Sequence, residues 1–187
     1  MIHDNITKVL HALIALGITA NLALSQFMAA AEPGVPGDGL YLVHQWAGLG
    51  LVGILVVYWL WKLAGHCPQG WSYFFPWFSK KTYPAIGADV KTLLRLRAPE
   101  LAESSVLSGA VHGLGLMTAA AMTLSGTAQY VVLQGYVASP VFFDFAKTSH
   151  EVLANFMWAY LIGHVVMGLA HQVLGHQSIV KMFSAGR

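Results

Sequence analysis

The chain contains four long apolar stretches that are almost free of charged residues. Each is long enough to cross the ~30 Å hydrocarbon core of a bilayer as a helix of about 20 residues. The pattern predicts spanning helices at four places: residues 6–28, 40–62, 106–132 and 148–174. Glycine and proline interrupt the pattern between the first two stretches and again at Gly135 and Pro140, where they predict loops. The sequence therefore predicts an all-α integral membrane four-helix bundle, with residues 1–187 forming a single domain.

The composition is typical of a membrane protein, and it gives no sign of nucleic-acid binding or of covalent haem attachment. Hydrophobic residues make up 56% of the chain and charged residues only 10%, which lies well outside the proportions of soluble domains. The net charge of +2 gives no indication of a nucleic-acid partner. Cys67 is the single cysteine and no C-x-x-C-H motif occurs, so any haem would be bound non-covalently.

The basic residues are distributed unequally among the connections. Nine of the ten Lys and Arg residues lie at the start of the first stretch, between the end of the second and the third, or after the fourth. By the positive-inside rule, both termini and the long connection 63–105 are expected in the cytoplasm. Aromatic residues beside Lys80 and Lys81, and a predicted short helix near 88–101, favour a connection that lies along the lipid phosphates. A solvated loop helix is the alternative.

The fourth stretch carries a stripe of histidines. His150, His164 and His171 are separated by 14 and then 7 residues, and at about 100° per residue both steps return to nearly the same helix face. With a rise of ~1.5 Å per residue, His150 and His164 lie about 21 Å apart along the helix axis. Polar groups at bilayer depth are costly unless paired, so they usually face the bundle interior and mark a function. The spacing predicts two sites stacked through the membrane.

Histidines on the other stretches supply partners at matching depths. Two imidazoles from different helices can hold a planar haem between them. Near the outer surface the predicted topology leaves one pair, His44 with His150. Four histidines lie toward the inner side: His11, His112, His164 and His171. The inner pairing stays open, because either His164 or His171 could pair with His11 or His112. Zinc and copper usually take more ligands, including carboxylates or cysteines.

Three of the stretches contain distinctive histidine motifs: KTSHEVLAN and GHVVMGLAHQ in the fourth, LVHQWAG in the second and KVLHAL in the first. Through them the chain resembles the bacterial cytochrome b561 family of four-helix, di-haem membrane cytochromes, most closely from Lys147 to Met182. Two features depart from that family. Tyr58 and Trp61 stand where its second helix commonly has arginines, and the connection 63–105 is longer. A long connection resembles the cytochrome subunits of hydrogenases and formate dehydrogenases.

The resemblance implies two haem b groups with four axial ligands, paired as outer and inner sites: His44 with His150, and His11 with His164. His112 and His171 match histidines that the family carries near the inner haem without using them as axial ligands. A role with the haem propionates, a quinone head group or a proton path fits that position, and simple packing is the alternative.

The resemblance further implies a transmembrane electron carrier in the bacterial inner membrane. The two haems relay single electrons between a donor at the outer face and ubiquinone or menaquinone near the inner haem. A more specific version is an oxidoreductase that oxidises superoxide at the outer haem with quinone as acceptor. Lys147, the single base of the outer connections, precedes His150 by three positions and would attract an anion. Pairing of Lys147 with lipid or with an acidic loop is the alternative.

Two other functions compete with this one. The long connection favours a membrane cytochrome b subunit that binds a redox partner protein, such as a hydrogenase, a dehydrogenase or a cytochrome c. A third hypothesis is a proton or metal transporter that uses the histidine stripe as a relay. It is disfavoured because no buried carboxylates accompany the histidines, and it predicts transport without haem absorbance.

Overall fold

The structure, a computed structural model, describes residues 4–66, 70–94 and 105–173. Four of its helices are long and apolar enough to cross a membrane: α1 Asn5–Leu24, α2 Gly39–Leu63, α5 Val106–Leu133 and α6 Pro140–Val173. Between α2 and α5 lie α3 Trp71–Phe74, two 3₁₀ turns at Pro76–Phe78 and Lys80–Thr82, and α4 Tyr83–Leu94. The prediction of an all-α membrane protein with four spanning helices is confirmed. The single-domain organisation and the cytoplasmic position of both termini stay predictions.

Two of the long helices end at places that the apolar pattern did not indicate. α1 stops at Leu24, and the residues after it form a turn in which Phe27 N–H donates to Leu24 O. α6 begins at Pro140, eight residues before the predicted position. Proline suits a first helical position because it lacks the N–H that would be unpaired there, and Ser139 Oγ accepts from Phe142 N–H at 3.3 Å. A helix can continue past its apolar part, so charge does not mark its end.

The chain divides into two compact units. One, the basic unit, comprises Met1–Lys8, Trp61–Met117 and Tyr160–Arg187, and the other, the acidic unit, comprises Val9–Leu60 and Thr118–Ala159. The basic unit has nine Lys and Arg against four Asp and Glu, whereas the acidic unit has one Lys against four Asp and Glu. Each unit contains segments of all four long helices or their ends. The division therefore follows the charge asymmetry on which the predicted membrane orientation depends.

The acidic unit contains most of the buried apolar residues. α1 and α2 approach closely at Gly17, where an added Cβ would lie 2.6 Å from Leu51 Cδ2. Phe143, Ala146 and Met157 of α6 are also buried. The remaining helix surface is largely exposed and apolar, as expected for a surface that faces lipid hydrocarbon.

In the basic unit, the connection packs its backbone against the start of α5. A Cβ added at Gly109 would collide with Tyr73 O, and one added at Gly113 would collide with Phe74 O. Tyr73 Oη lies 3.3 Å from Ser108 Oγ. The chain's own connection therefore occupies this face of α5. The helix predicted near 88–101 overlaps α4 at residues 88–94, and the rest of that prediction, with Arg95 and Arg97, lies outside the described residues.

The N-terminus is joined to the end of α2 within the basic unit. Asp4 caps α1, because its Oδ1 accepts from Thr7 N–H at 2.8 Å in the geometry of an N-cap. Lys62 is only 5% exposed and its Nζ donates to Thr7 Oγ1 at 3.0 Å. Partial burial opposes ionisation of Asp4, but hydrogen bonds from Thr7 and the charge of Lys62 hold the pKa of this carboxyl below its usual 3.8.

Candidate site of paired histidines

The outer histidines predicted from the sequence are brought together in the acidic unit. His44 lies in the second turn of α2 and His150 lies in α6. Their ring centroids are 6.2 Å apart and the ring planes are nearly perpendicular, at 87°. Both side chains are partly buried. Imidazoles from two different helices therefore lie next to one another in the acidic unit; their role as a ligand pair stays a prediction.

The Nδ1 atom of each ring contacts a backbone carbonyl on a neighbouring helix. His44 Nδ1 lies 3.2 Å from Asn21 O, near the C-terminal end of α1, and His150 Nδ1 lies 3.0 Å from Met122 O in α5. A carbonyl oxygen can only accept, so the hydrogen of each neutral imidazole sits on Nδ1. Each Nε2 then carries the lone pair that a metal ion needs.

Glycine at position 126 gives the His150 ring its place against α5. A Cβ added at Gly126 would lie 3.2 Å from His150 Cε1 and 3.5 Å from Nδ1, which is tighter than most Cβ contacts. Ser125 Oγ lies 3.0 Å from the same Nδ1. The contacts of Asn21, Met122, Ser125 and Gly126 with these rings were not identified from the sequence. Asn21 and Met122 act through backbone carbonyls, and residue type carries no signal for a backbone contact or for a small residue beside a histidine on another helix.

The centroid separation of this pair is compatible with two ligands of one metal ion. With metal–nitrogen bonds of about 2 Å, two opposed imidazoles have ring centroids about 6 Å apart, which agrees with the observed 6.2 Å. A metal-bound histidine usually donates its other N–H to a carbonyl or carboxylate, as both rings do here. Within the described part of the chain, no group of three or more His, Cys, Asp or Glu side chains could hold a metal ion. The donor set is therefore a pair of neutral imidazoles, which suits a haem.

A second histidine pair lies in the basic unit. The ring centroids of His112 and His164 are 5.5 Å apart at 85°. His112 Nδ1 lies 2.8 Å from Ser108 O, and the Tyr160 ring stacks on His164 with centroids 5.4 Å apart. The Tyr160 ring also fills the space beside Gly115. The structure thus brings together two of the inner histidines whose pairing the sequence left open.

The other predicted site residues lie apart from these pairs. His11 is a partly buried residue of α1 in the acidic unit, and His171 is a partly buried residue of the last turn of α6 in the basic unit. The pairing of His11 with His164, which the resemblance implies, joins residues of the two units and stays a prediction. The non-ligand roles expected for His112 and His171 also stay predictions.

Lys147 has a carboxylate partner. Its Nζ lies 2.6 Å from Glu32 Oε1, and both side chains are partly exposed to solvent. The hydrogen bond that Lys147 donates, together with its positive charge, lowers the pKa of Glu32. The predicted attraction of an anion by Lys147 is therefore opposed by a negative charge in direct contact, and the expected alternative of pairing with an acidic loop is present in the structure.

The model of a known family matches this chain over nearly its whole length. Comparison with curated proteins and with solved structures finds no match. The sequence model of the prokaryotic cytochrome b561 family matches residues 2–185, which include all four spanning helices and every histidine of both pairs. With this match over nearly its whole length, the chain belongs to the prokaryotic cytochrome b561 family, whose members are membrane b-type cytochromes that transfer electrons.

Proposed function

We propose that this protein is a di-haem cytochrome of the bacterial inner membrane that carries electrons between a donor at the outer face and ubiquinone or menaquinone. Membership of the family supplies electron transfer by a b-type haem. The observation that supports a defined site is the pair His44 and His150, with centroids at 6.2 Å and both Nδ1 atoms on carbonyl oxygens. The number of haems and the quinone are parts of the proposal.

A haem held here supplies one-electron chemistry without proton transfer at the iron. His44 and His150 would hold it through their Nε2 atoms. The carbonyls of Asn21 and Met122 fix the tautomer and the orientation of the rings before a haem binds. Held in this way, the two rings would need little rearrangement when a bound haem gains or loses an electron.

At the inner site, we propose His164 as one ligand, with His11 as the other on the strength of the KVLHAL motif. His112 lies beside His164 in the structure and competes with His11 for this assignment. If His112 is not a ligand, its position beside His164 suits contact with a haem propionate or a quinone head group. His171, in the last turn of α6, is proposed for the same surroundings.

The first test is a reduced-minus-oxidised visible spectrum of the purified chain, with haem quantified per polypeptide, for wild type and His150→Ala. We expect about two haems per chain in the wild type and about one in the variant. Quinone reduction or quinol oxidation by the purified wild type then tests the acceptor. A wild-type chain without haem absorbance would refute the proposal and would favour the transporter hypothesis.

The superoxide version makes a separate electrostatic prediction. If an anion reacts at the outer haem, removing the negative charge in Glu32→Gln should raise the rate, and removing the positive charge in Lys147→Gln should lower it, with both effects reduced by salt. Equal rates for the two variants would exclude an anionic donor guided by this ion pair. Activity that appears only with a soluble redox protein would instead support the alternative of a membrane subunit in a hydrogenase- or dehydrogenase-type complex.

A further inference from the structure

The hydroxyl of Ser125 lies between His150 and a backbone carbonyl. Ser125 Oγ is 3.0 Å from His150 Nδ1 and 3.0 Å from Met122 O. The same carbonyl is 3.0 Å from Nδ1. The three polar atoms therefore form a closed triangle, in which one turn of α5 supplies Met122 O and Ser125 Oγ and α6 supplies His150 Nδ1.

The available hydrogens decide which atom donates in each contact. Met122 O can only accept, so the hydrogen between it and His150 must be on Nδ1. The single hydrogen of the Ser125 hydroxyl is donated to Met122 O. Ser125 Oγ therefore meets the Nδ1–H group with a lone pair, and this N–H has two acceptors.

The position of the ring makes this contact difficult to avoid. Gly126 follows Ser125, and the space beside it is filled by the His150 ring, since an added Cβ would lie 3.2 Å from Cε1. The ring is thus held against the turn that presents both acceptors. The ring of His44 has a carbonyl acceptor, Asn21 O, at the longer distance of 3.2 Å.

We propose that Ser125 is a positioning residue that lowers the reduction potential of the outer haem by accepting a second hydrogen bond from His150. The inference rests on the proposed function, because it requires His150 to be an axial ligand. An acceptor on the distal N–H makes a metal-bound imidazole more basic. A more basic axial ligand stabilises the oxidised iron relative to the reduced iron, and hydrogen bonding of this kind is one of the means by which proteins set haem potentials.

The test is a spectroelectrochemical titration of the purified full-length chain as wild type, Ser125→Ala, Ser125→Thr and Ser149→Ala. The outer haem is identified as the redox transition that is missing in His44→Ala. We expect Ser125→Ala to keep two haems and to move the outer midpoint to a more positive potential. Ser125→Thr keeps a hydroxyl that can bond a carbonyl of the preceding turn and should stay at the wild-type value. Ser149 lines the same apolar cavity as Ser125 and serves as the matched control.

An unchanged outer midpoint in Ser125→Ala would overturn the inference, and so would an equal shift in Ser149→Ala. If Ser125→Ala loses the outer haem while Ser125→Thr keeps it at the wild-type potential, the hydroxyl is needed for positioning and the inference is supported. Loss of the haem in both variants would show that side-chain shape is decisive, against the inference. A wild-type chain that binds no haem refutes the proposed function itself, so the two failures are distinguishable.

Discussion

The two histidine pairs have similar geometry but are supported in different ways. The rings of His44 and His150 are 6.2 Å apart, and those of His112 and His164 are 5.5 Å apart, with nearly perpendicular planes in both. In the acidic unit each Nδ1 contacts the backbone of another helix. In the basic unit the His112 Nδ1 bonds to Ser108 O, four residues earlier in the same helix.

The basic unit repeats this local pattern on α6, where His164 stacks on Tyr160, also four residues earlier. Side chains three or four positions apart on a helix are neighbours, so such contacts form with the helix itself. Contacts to another helix form only when the bundle packs. The positions of the outer rings therefore depend on contacts with other helices, whereas the contacts of His112 with Ser108 and of His164 with Tyr160 are local to one helix.

Removing a whole imidazole should have the largest effect on haem content, and it tests whether the two histidine pairs differ in role. If His11 is the second inner ligand, His11→Ala should lower the haem content from about two to about one, while His112→Ala should keep about two. The measurement is haem per polypeptide with absorbance of the reduced chain. The reverse result would make the close pair His112 and His164 the inner ligand set, and the two sites would then be built alike.

A smaller change tests whether the packing against α5 holds the outer ring. Gly126→Ala would place a Cβ 3.2 Å from His150 Cε1 and push the ring away from its acceptors. We expect outer-haem affinity to fall about tenfold, the lower end of what outer-shell changes cost, as measured by haem retention during dilution. Gly53→Ala, where no atom lies within 4 Å of the added Cβ, is the control. Equal retention in both variants would show that the contact is unimportant.

In the basic unit, the matching test concerns the tertiary contact beside His112. Gly113→Ala would drive a Cβ into Phe74 O of the connection, and overpacking of this kind typically costs about 1–3 kcal/mol. A lower midpoint temperature of the purified chain is expected. Gly87→Ala, with open space around the added Cβ, should not lower it. If Gly113→Ala is as stable as Gly87→Ala, the connection does not pack on α5 as described.

The smallest expected effect is on stability, and it concerns Asp4, whose carboxylate lies near Lys62 at the end of α2. Since the pKa of Asp4 is lowered in the folded chain from 3.8, its contribution to stability is present above pH 3.8 and is lost as the pH falls through the lowered value. Asp4→Asn keeps a good N-cap but removes the charge near Lys62. We expect a loss of stability below about 1 kcal/mol at neutral pH and a weaker acid dependence of the melting temperature.

For Asp4→Asn the comparison variant is Asp89→Asn, which changes another acidic residue of the basic unit. An acid dependence identical to that of the wild type would show that Asp4 does not titrate with unfolding. If Asp4→Asn instead lowers the haem content, the Asp4 carboxylate also affects the histidine sites.

Much of the fold could be predicted because its signals are local. Apolar length located all four spanning helices, and Gly135 located the turn after α5, whereas Pro140, where a loop was predicted, is the first residue of α6. The start of α6 was misplaced, because Asp144 and Lys147 mark the edge of the apolar part rather than the end of the helix. The contact of the α5 glycines with the backbone of residues 73 and 74 could not be deduced from the sequence, because it joins segments whose relative placement depends on packing.

By itself, the sequence determined that the chain has four apolar helices, that His44 and His150 could form an outer pair, and that the motifs belong to a cytochrome b family. The first property follows from the apolar length of each helix, the second from the predicted depth of each histidine, and the third from the resemblance of the histidine motifs to that family. Only the tertiary structure decided which atoms meet Nδ1 of each ring, namely Asn21 O, Met122 O and the Ser125 hydroxyl. Those contacts depend on the rotation and separation of packed helices, to which residues distant in sequence contribute together.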